Sequence, residues 1–318
     1  MNKVSEKNAD DAPAPFQLRG LIAALFTPFQ NDGTINLPAV KPVVDRVIAQ
    51  GASGLYILGS TGEGPLLTTA ERETVAETVV AATGRRVPVI VQVGHASLVE
   101  ARGLVAHAQR IGADAVSATP PNYFKPDTLE SLVDCVAEIA GGAPALPFYY
   151  YNLPSHTGVR FDMVEFLRLG GARVPSLRGI KFSDPMLHEL QACLRFENGR
   201  HDIVFGVDEM LLGAAATGVG GAVGSTYNFA APVYRRVIDA FARGDMDEAR
   251  EWQFRAAEMV RVIIDTAGRG GLKAVMALIG ADCGPSRAPT ATCSPECREL
   301  LRQRLQELGF FEWIKNTP

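Results

Sequence analysis

An amine set inside an apolar run is the most chemically loaded feature of this chain: Lys181 lies within Leu177-Arg178-Gly179-Ile180-Lys181-Phe182. About thirty residues earlier a second run ends in Phe148-Tyr149-Tyr150-Tyr151-Asn152. Desolvation disfavours the charged form of lysine, so a buried amine is partly neutral and nucleophilic near neutral pH. Facing a phenol, such an amine is equipped for carbonyl chemistry. The competing reading is a lysine at a strand end whose stem is buried and whose head reaches water or a carboxylate.

Other reactive residue types gather at the ends of similar runs. Gly59-Ser60-Thr61-Gly62-Glu63-Gly64 has small residues that crowd backbone N–H groups together beside two hydroxyls, a composition suited to a carboxylate ligand. On its own it also reads as an ordinary glycine turn with Ser/Thr caps, and Glu63 reads as a structural partner outside the chemistry. Gly206-Val207-Asp208-Glu209 offers adjacent carboxylates, either helix caps or hydrogen-bond acceptors for a polyol. Ser183 and Gly224-Ser225-Thr226 complete the set. His156, in Asn152-Leu153-Pro154-Ser155-His156-Thr157-Gly158, follows Tyr151 closely enough to stand near a substrate. His95 follows the third run, whereas His107, His188 and His201 fall on helix or loop surfaces. No order of Ser, His and Asp or of Cys and His marks a hydrolytic triad.

These residues need a scaffold that converges them. Runs rich in aliphatic and β-branched residues recur at Leu21 to Thr27, Gly54 to Gly59, Pro88 to Val93, Ala115 to Thr119, Leu146 to Tyr151, Leu177 to Phe182, Ile203 to Val207 and Gly221 to Ser225. Helical spacing follows at Leu37 to Gln50, Thr69 to Ala82, Leu98 to Ile111 and Thr128 to Ala140, several entered through a capping Ser, Thr or Asp. Eight βα units predict an α/β (β/α)₈ TIM barrel, whose strand C-termini form one open face. A doubly wound sheet fits less well, because the first run ends in Phe26-Thr27-Pro28-Phe29 rather than a glycine fingerprint. The glycine-rich Gly218 to Gly224 leads into a strand, the wrong phase for dinucleotide binding. Beyond the barrel, at residues 18–243, Asp245 to Thr266, Gly271 to Ile279 and Pro295 to Leu308 predict a C-terminal helical extension over 244–318. Residues 1–17 are expected to be a disordered leader.

With 47% apolar and 21% charged residues and a formal charge of −4, the chain has the composition of a soluble globular protein; lacking a basic cluster, it is not expected to bind nucleic acid. No apolar stretch is long enough to span a bilayer and no signal core is present, so no membrane association and a cytoplasmic location are expected. Cys135, Cys193, Cys283, Cys293 and Cys297 read as free thiols; the last three lack a C-x-x-C pair, and no metal is predicted.

Together, Gly59-Ser60-Thr61-Gly62-Glu63, Phe148 to Asn152, Gly179-Ile180-Lys181-Phe182-Ser183-Asp184, Gly206-Val207-Asp208-Glu209 and Gly224-Ser225-Thr226-Tyr227-Asn228 resemble the N-acetylneuraminate lyase branch of the dihydrodipicolinate synthase family. The resemblance runs from about Leu18 over essentially the whole chain. It implies a metal-free class I aldolase, usually a homotetramer, with no cofactor beyond a covalent lysine imine. By position, Lys181 is similar to the Schiff-base lysine and Tyr151 to the proton-shuttling phenol. Ser60 and Thr61 match carboxylate-binding hydroxyls, and Tyr123, in Pro121-Asn122-Tyr123-Phe124-Lys125-Pro126, matches a relay residue reaching in from a neighbouring subunit. Ser183, Gly206, Asp208, Glu209 and Ser225 match positions that hold a sugar tail. His156 agrees with neither the arginine of the synthases nor the apolar residue of the lyases. The implied reaction is cleavage of N-acetylneuraminate to N-acetylmannosamine and pyruvate. The alternatives are another pyruvate-dependent enzyme of the family, acting on a 2-keto-3-deoxy sugar acid or aspartate semialdehyde, and a catalytically silent sugar-acid sensor.

Overall fold

The computed structural model describes residues 16–315. Among these, eight short parallel strands close into a barrel in sequence order: β1 Gly20–Ala24, β2 Gly54–Ile57, β3 Val89–Gln92, β4 Ala115–Ala118, β5 Phe148–Asn152, β6 Leu177–Phe182, β7 Asp202–Phe205 and β8 Gly221–Gly224. Between them run α1 Leu37–Ala49, α2 Thr69–Thr83, α3 Leu98–Arg110, α4 Leu129–Ala140, α5 Pro154–Thr157, α6 Met163–Arg173, α7 Leu187–Arg195 and α8 Leu211–Thr217; α9 Tyr227–Ala242 follows β8. The expected (β/α)₈ architecture is therefore the observed one. The strands are shorter than several apolar runs because the chain leaves the sheet at the open face while its side chains remain buried. After Ile57, for example, Leu58 turns to φ 61° yet is 1% exposed.

Two apolar compartments hold the barrel. Ile22, Tyr56, Ile90, Ala115, Tyr149, Tyr151, Val204 and Val223 fill its interior. Alternate residues of the same strands, such as Leu21, Leu55, Val116, Tyr150, Ile180 and Phe205, pack outward under the helices. The helices start where side chains satisfy free N–H groups. Thr68 accepts from Glu71 N while the Glu71 side chain accepts from Thr68 N, and Thr128 pairs reciprocally with Ser131. Residues 1–15 of the expected leader lie outside the described residues. Phe16 sets its ring edge-on to Tyr149, 6.4 Å between centroids.

The extension comprises α10 Met246–Leu278, α11 Pro295–Leu308 and α12 Phe310–Trp313. The two helices expected on either side of Gly-Arg-Gly-Gly are present within the α10 span, separated by the non-helical Gly268 (φ 57°, ψ −156°). The segment after α10 is fastened to the barrel. Phe29 N donates to Cys283 O, and the Arg287 guanidinium donates to Glu71, Leu66 O and Gly33 O. Two histidines expected at the surface are not there. His107 is 4% exposed beside Glu77, and His201 is 5% exposed and stacked on Phe196, because the faces of α3 and of the turn before β7 that carry them pack inward. His188 is exposed, as expected, and the five cysteines are free.

Candidate active site

Strand register places the central pair. In the β5–β6 ladder Tyr151 is opposite Lys181, so both side chains enter the barrel interior while Tyr150 and Ile180 point out. Lys181 Nζ lies 3.7 Å from the centroid of the Tyr56 ring and 3.8 Å from that of Tyr151, and the two rings meet edge to face. Only 4% of the residue is exposed. Burial lowers the Lys181 pKa from the ordinary lysine value, and the Tyr151 phenol and the Asp208 carboxylate oppose that shift. The ring faces give an ammonium some compensation, yet desolvation is the larger influence. Burial holds the neighbouring Tyr56 phenol well above its ordinary pKa, so it stays protonated.

The turn after β2 is built under strain. Leu58 and Glu63, neither of them glycine, adopt left-handed φ values of 61° and 55° on either side of Ser60-Thr61. Gly64 is required by close approach: a Cβ there would lie 1.8 Å from the Leu58 carbonyl oxygen. Thr27 donates to Gly62 O at 2.6 Å. Glu63, read as structural, is structural: Oε1 accepts from Lys273 Nζ at 3.0 Å and Oε2 from Arg287 N at 2.7 Å. The Thr61 and Ser225 hydroxyls are 2.6 Å apart, joining this turn to the end of β8. Asn228, fully buried, fixes that end by donating to Ala24 O and Ser225 O.

A third cluster lies at the ends of β6 and β7. Ser183 N donates to Asn152 O and Gly206 N to Phe182 O, which continues the ladder one residue past each strand. Gly206 leaves room for its neighbour, since a Cβ would fall 2.0 Å from Ser183 Oγ. That hydroxyl is buried and has no hydrogen-bond partner among the described residues. Asp208 is 7% exposed and accepts from Thr226 N (2.9 Å) and Thr226 Oγ1 (2.6 Å) through Oδ2. Burial raises its pKa to about 6, against the lowering effect of those hydrogen bonds.

Ser60, Thr61, His156, Ser225, Arg269 and Lys273 share one cavity of about 280 Å³ at the open face. Lys181 does not line it, being enclosed by the two tyrosine rings. Of the residues picked from the sequence, Ser60, Thr61, His156 and Ser225 line this cavity, whereas Tyr151, Ser183, Gly206, Asp208, Glu209 and Tyr123 do not. Glu209 is exposed beside Asp208, and Tyr123 is 82% exposed, its ring against Phe124, with no hydrogen bond to Ser60 or Tyr151 among the described residues. Sequence reasoning missed Tyr56, Arg269 and Lys273. The alternation within Gly54 to Gly59 could have placed Tyr56 inside the barrel; no local pattern marks Arg269 or Lys273, which come from the kinked second part of α10.

A closed βα barrel with a desolvated lysine between two phenols at its open end defines a class of barrel built for carbonyl substrates. The chain belongs to the Dihydrodipicolinate synthetase family, which it matches over residues 17–308. It is 41% identical to N-acetylneuraminate lyase of Xenopus tropicalis over 92% of this chain and 97% of the relative, and 36% identical to that of Homo sapiens over 93% and 94%. In structure it is similar to Proteus mirabilis N-acetylneuraminate lyase, with a TM-score of 0.90, 37% identity, and coverage of 93% of this chain and 100% of the other. No helix among the described residues is long and apolar enough to cross a membrane.

Proposed function

We propose that this protein is an N-acetylneuraminate lyase that works through a lysine imine. The observation that carries the reading is Lys181, stripped of water and held against Tyr151 at 3.8 Å from the ring centre; relatives named for this activity support the choice of substrate. The neutral amine adds to the ketone carbon of the open-chain keto acid. Tyr151 gives its proton to the carbinolamine hydroxyl, which leaves as water, and a protonated imine remains. The resulting phenolate takes the C4 hydroxyl proton as the C3–C4 bond breaks. Its electron pair moves into the iminium to form an enamine, and N-acetylmannosamine departs as the aldehyde. Tyr151 then protonates the enamine carbon; water adds to the resulting iminium and its proton returns to the Tyr151 phenolate, so that pyruvate leaves with amine and phenol both restored to their neutral forms.

Ser60 and Thr61 bind the keto-acid carboxylate in this scheme, and the open Ser183 hydroxyl with Asp208, Gly206, Glu209 and Ser225 takes the polyol tail. The exposed Tyr123–Phe124 pair is the surface we assign to subunit contact in a homotetramer, where Tyr123 completes the relay of a neighbouring site. Incubation with pyruvate and borohydride, followed by peptide mass mapping, tests the nucleophile. A reduced adduct on the Lys181 peptide is expected, and an adduct elsewhere or none refutes the mechanism. Condensation rates with N-acetylmannosamine, aspartate semialdehyde and the aldehydes that give 2-keto-3-deoxy sugar acids test the substrate.

A further inference from the structure

Lys181 Nζ lies 3.7 Å from the centroid of the Tyr56 ring. At that distance it sits over the ring face, because the edge carbons hold an in-plane approach further out. The proton transfers assigned to Tyr151 make no use of Tyr56. Its hydroxyl is buried, within reach of Ser117 and the Arg72 charge rather than of the lysine, and burial keeps it protonated. What Tyr56 presents to the lysine is the negative face of a π system. The ring is fixed in place: 1% exposed, it meets Tyr151 edge to face with 5.8 Å between centroids. The turn after β2 closes on its rim, where a Cβ at Gly59 would fall 2.7 Å from Tyr56 Cε1.

A ring face does little for a neutral amine and attracts a cation, most strongly where water is excluded. Imine formation at neutral Lys181 creates such a cation: amine and ketone, with the proton that Tyr151 supplies, give a protonated imine and water. We propose that Tyr56 is a further catalytic residue whose ring face holds the positive charge of that imine. The contact draws imine formation forward where the resting amine is neutral, and it keeps the nitrogen in its charged, electron-accepting form. The inference rests on the imine-forming reading and deepens it by giving the two tyrosines separate tasks: Tyr151 moves protons and Tyr56 carries charge.

The test replaces Tyr56 by phenylalanine and by phenylalanines carrying one, two and three ring fluorines, which withdraw charge from the face at nearly constant shape. The readout is the pyruvate concentration giving half-maximal borohydride-trapped adduct on Lys181, followed from about pH 5 to pH 10. Tyr56→Phe stays within about twofold of wild type, because the face remains. Above the pKa of Lys181, half-saturation rises stepwise with fluorine number, to about tenfold for three. Below it the resting nitrogen is already an ammonium over the same face, and the series converges. Tyr151 and Asp208, the other titratable groups bearing on Lys181, are common to every variant. Half-saturation independent of fluorine number overturns the proposal, as does a full loss already present in Tyr56→Phe, which would place the role in the hydroxyl. An equal loss at both ends of the pH range marks general damage to the site and overturns it too. Absence of any adduct in the wild-type protein overturns the imine-forming reading and this one together.

Discussion

Removing one member of the Glu63–Lys273 pair tests how the extension holds the turn that carries Ser60 and Thr61. The side chains are 9% and 3% exposed and 3.0 Å apart. Lys273 also donates to Pro285 O at 2.8 Å and lies 4.1 Å from the Phe29 ring centre. In Lys273→Met, Glu63 keeps only the Arg287 N–H and becomes a buried carboxylate without a counter-ion, a situation that costs about 3–5 kcal/mol. Glu63→Gln leaves the ammonium with a carbonyl and a ring face, at a comparable cost. The double variant Glu63→Gln/Lys273→Met removes both charges and should recover much of the loss, giving a coupling energy of about 2–3 kcal/mol in a urea-unfolding cycle.

Because Glu63 ends the strained turn that carries Ser60 and Thr61, Lys273→Met should also raise the pyruvate concentration needed for half-maximal adduct. Single variants that each lose less than about 1 kcal/mol, or losses that simply add in the double variant, would refute the reasoning.

Lys181→Ala should abolish borohydride trapping with pyruvate and lower cleavage by at least about 1000-fold in a pyruvate-release assay. Tyr151→Phe should still form the adduct while losing about 100-fold to 10,000-fold in kcat, which separates proton transfer from nucleophilic attack. Asp208 is raised by burial from 3.8 to about 6, a difference worth about 3 kcal/mol. Its contribution to stability is present below the unfolded pKa and lost as pH rises through about 6. Between about pH 4 and pH 7, Asp208→Asn should consequently gain about 2 kcal/mol relative to wild type in urea unfolding, whatever the fixed effect of changing the Thr226 hydrogen bonds. A constant difference across that range would contradict the assignment.

The barrel was legible because each βα unit announces itself locally. A run of β-branched and aromatic residues, then a capping Thr or Ser, then helical spacing are all short-range consequences of backbone geometry. Lys181 and Tyr151 were legible for a related reason, since a cation in an apolar run and a tyrosine at a strand end are anomalies within a few residues of sequence. What stayed hidden depends on distant segments. Arg269 and Lys273 lie about 90 residues beyond Lys181 in an amphipathic helix, where positive side chains are ordinary, and only the turn at Gly268 directs them to the open face. Arg72 shows the same dependence: although it lies on α2, it is 1% exposed and its guanidinium donates to Gln92 O and Gln92 Oε1 at the end of β3 and to Gly94 O just past it. His156 was flagged by its distance from Tyr151, but its partner, Arg269, could not be. The same limit applies to the turn from Gly59 to Gly64, which in sequence reads either as a carboxylate site or as an ordinary glycine turn: the clamp that Glu63 makes to residues 273 and 287 comes from the far end of the chain. On the proposed reading, with Lys181 as nucleophile, substitutions in the extension that disturb the Glu63 clamp should alter the turn carrying Ser60 and Thr61 while imine formation on β6 persists.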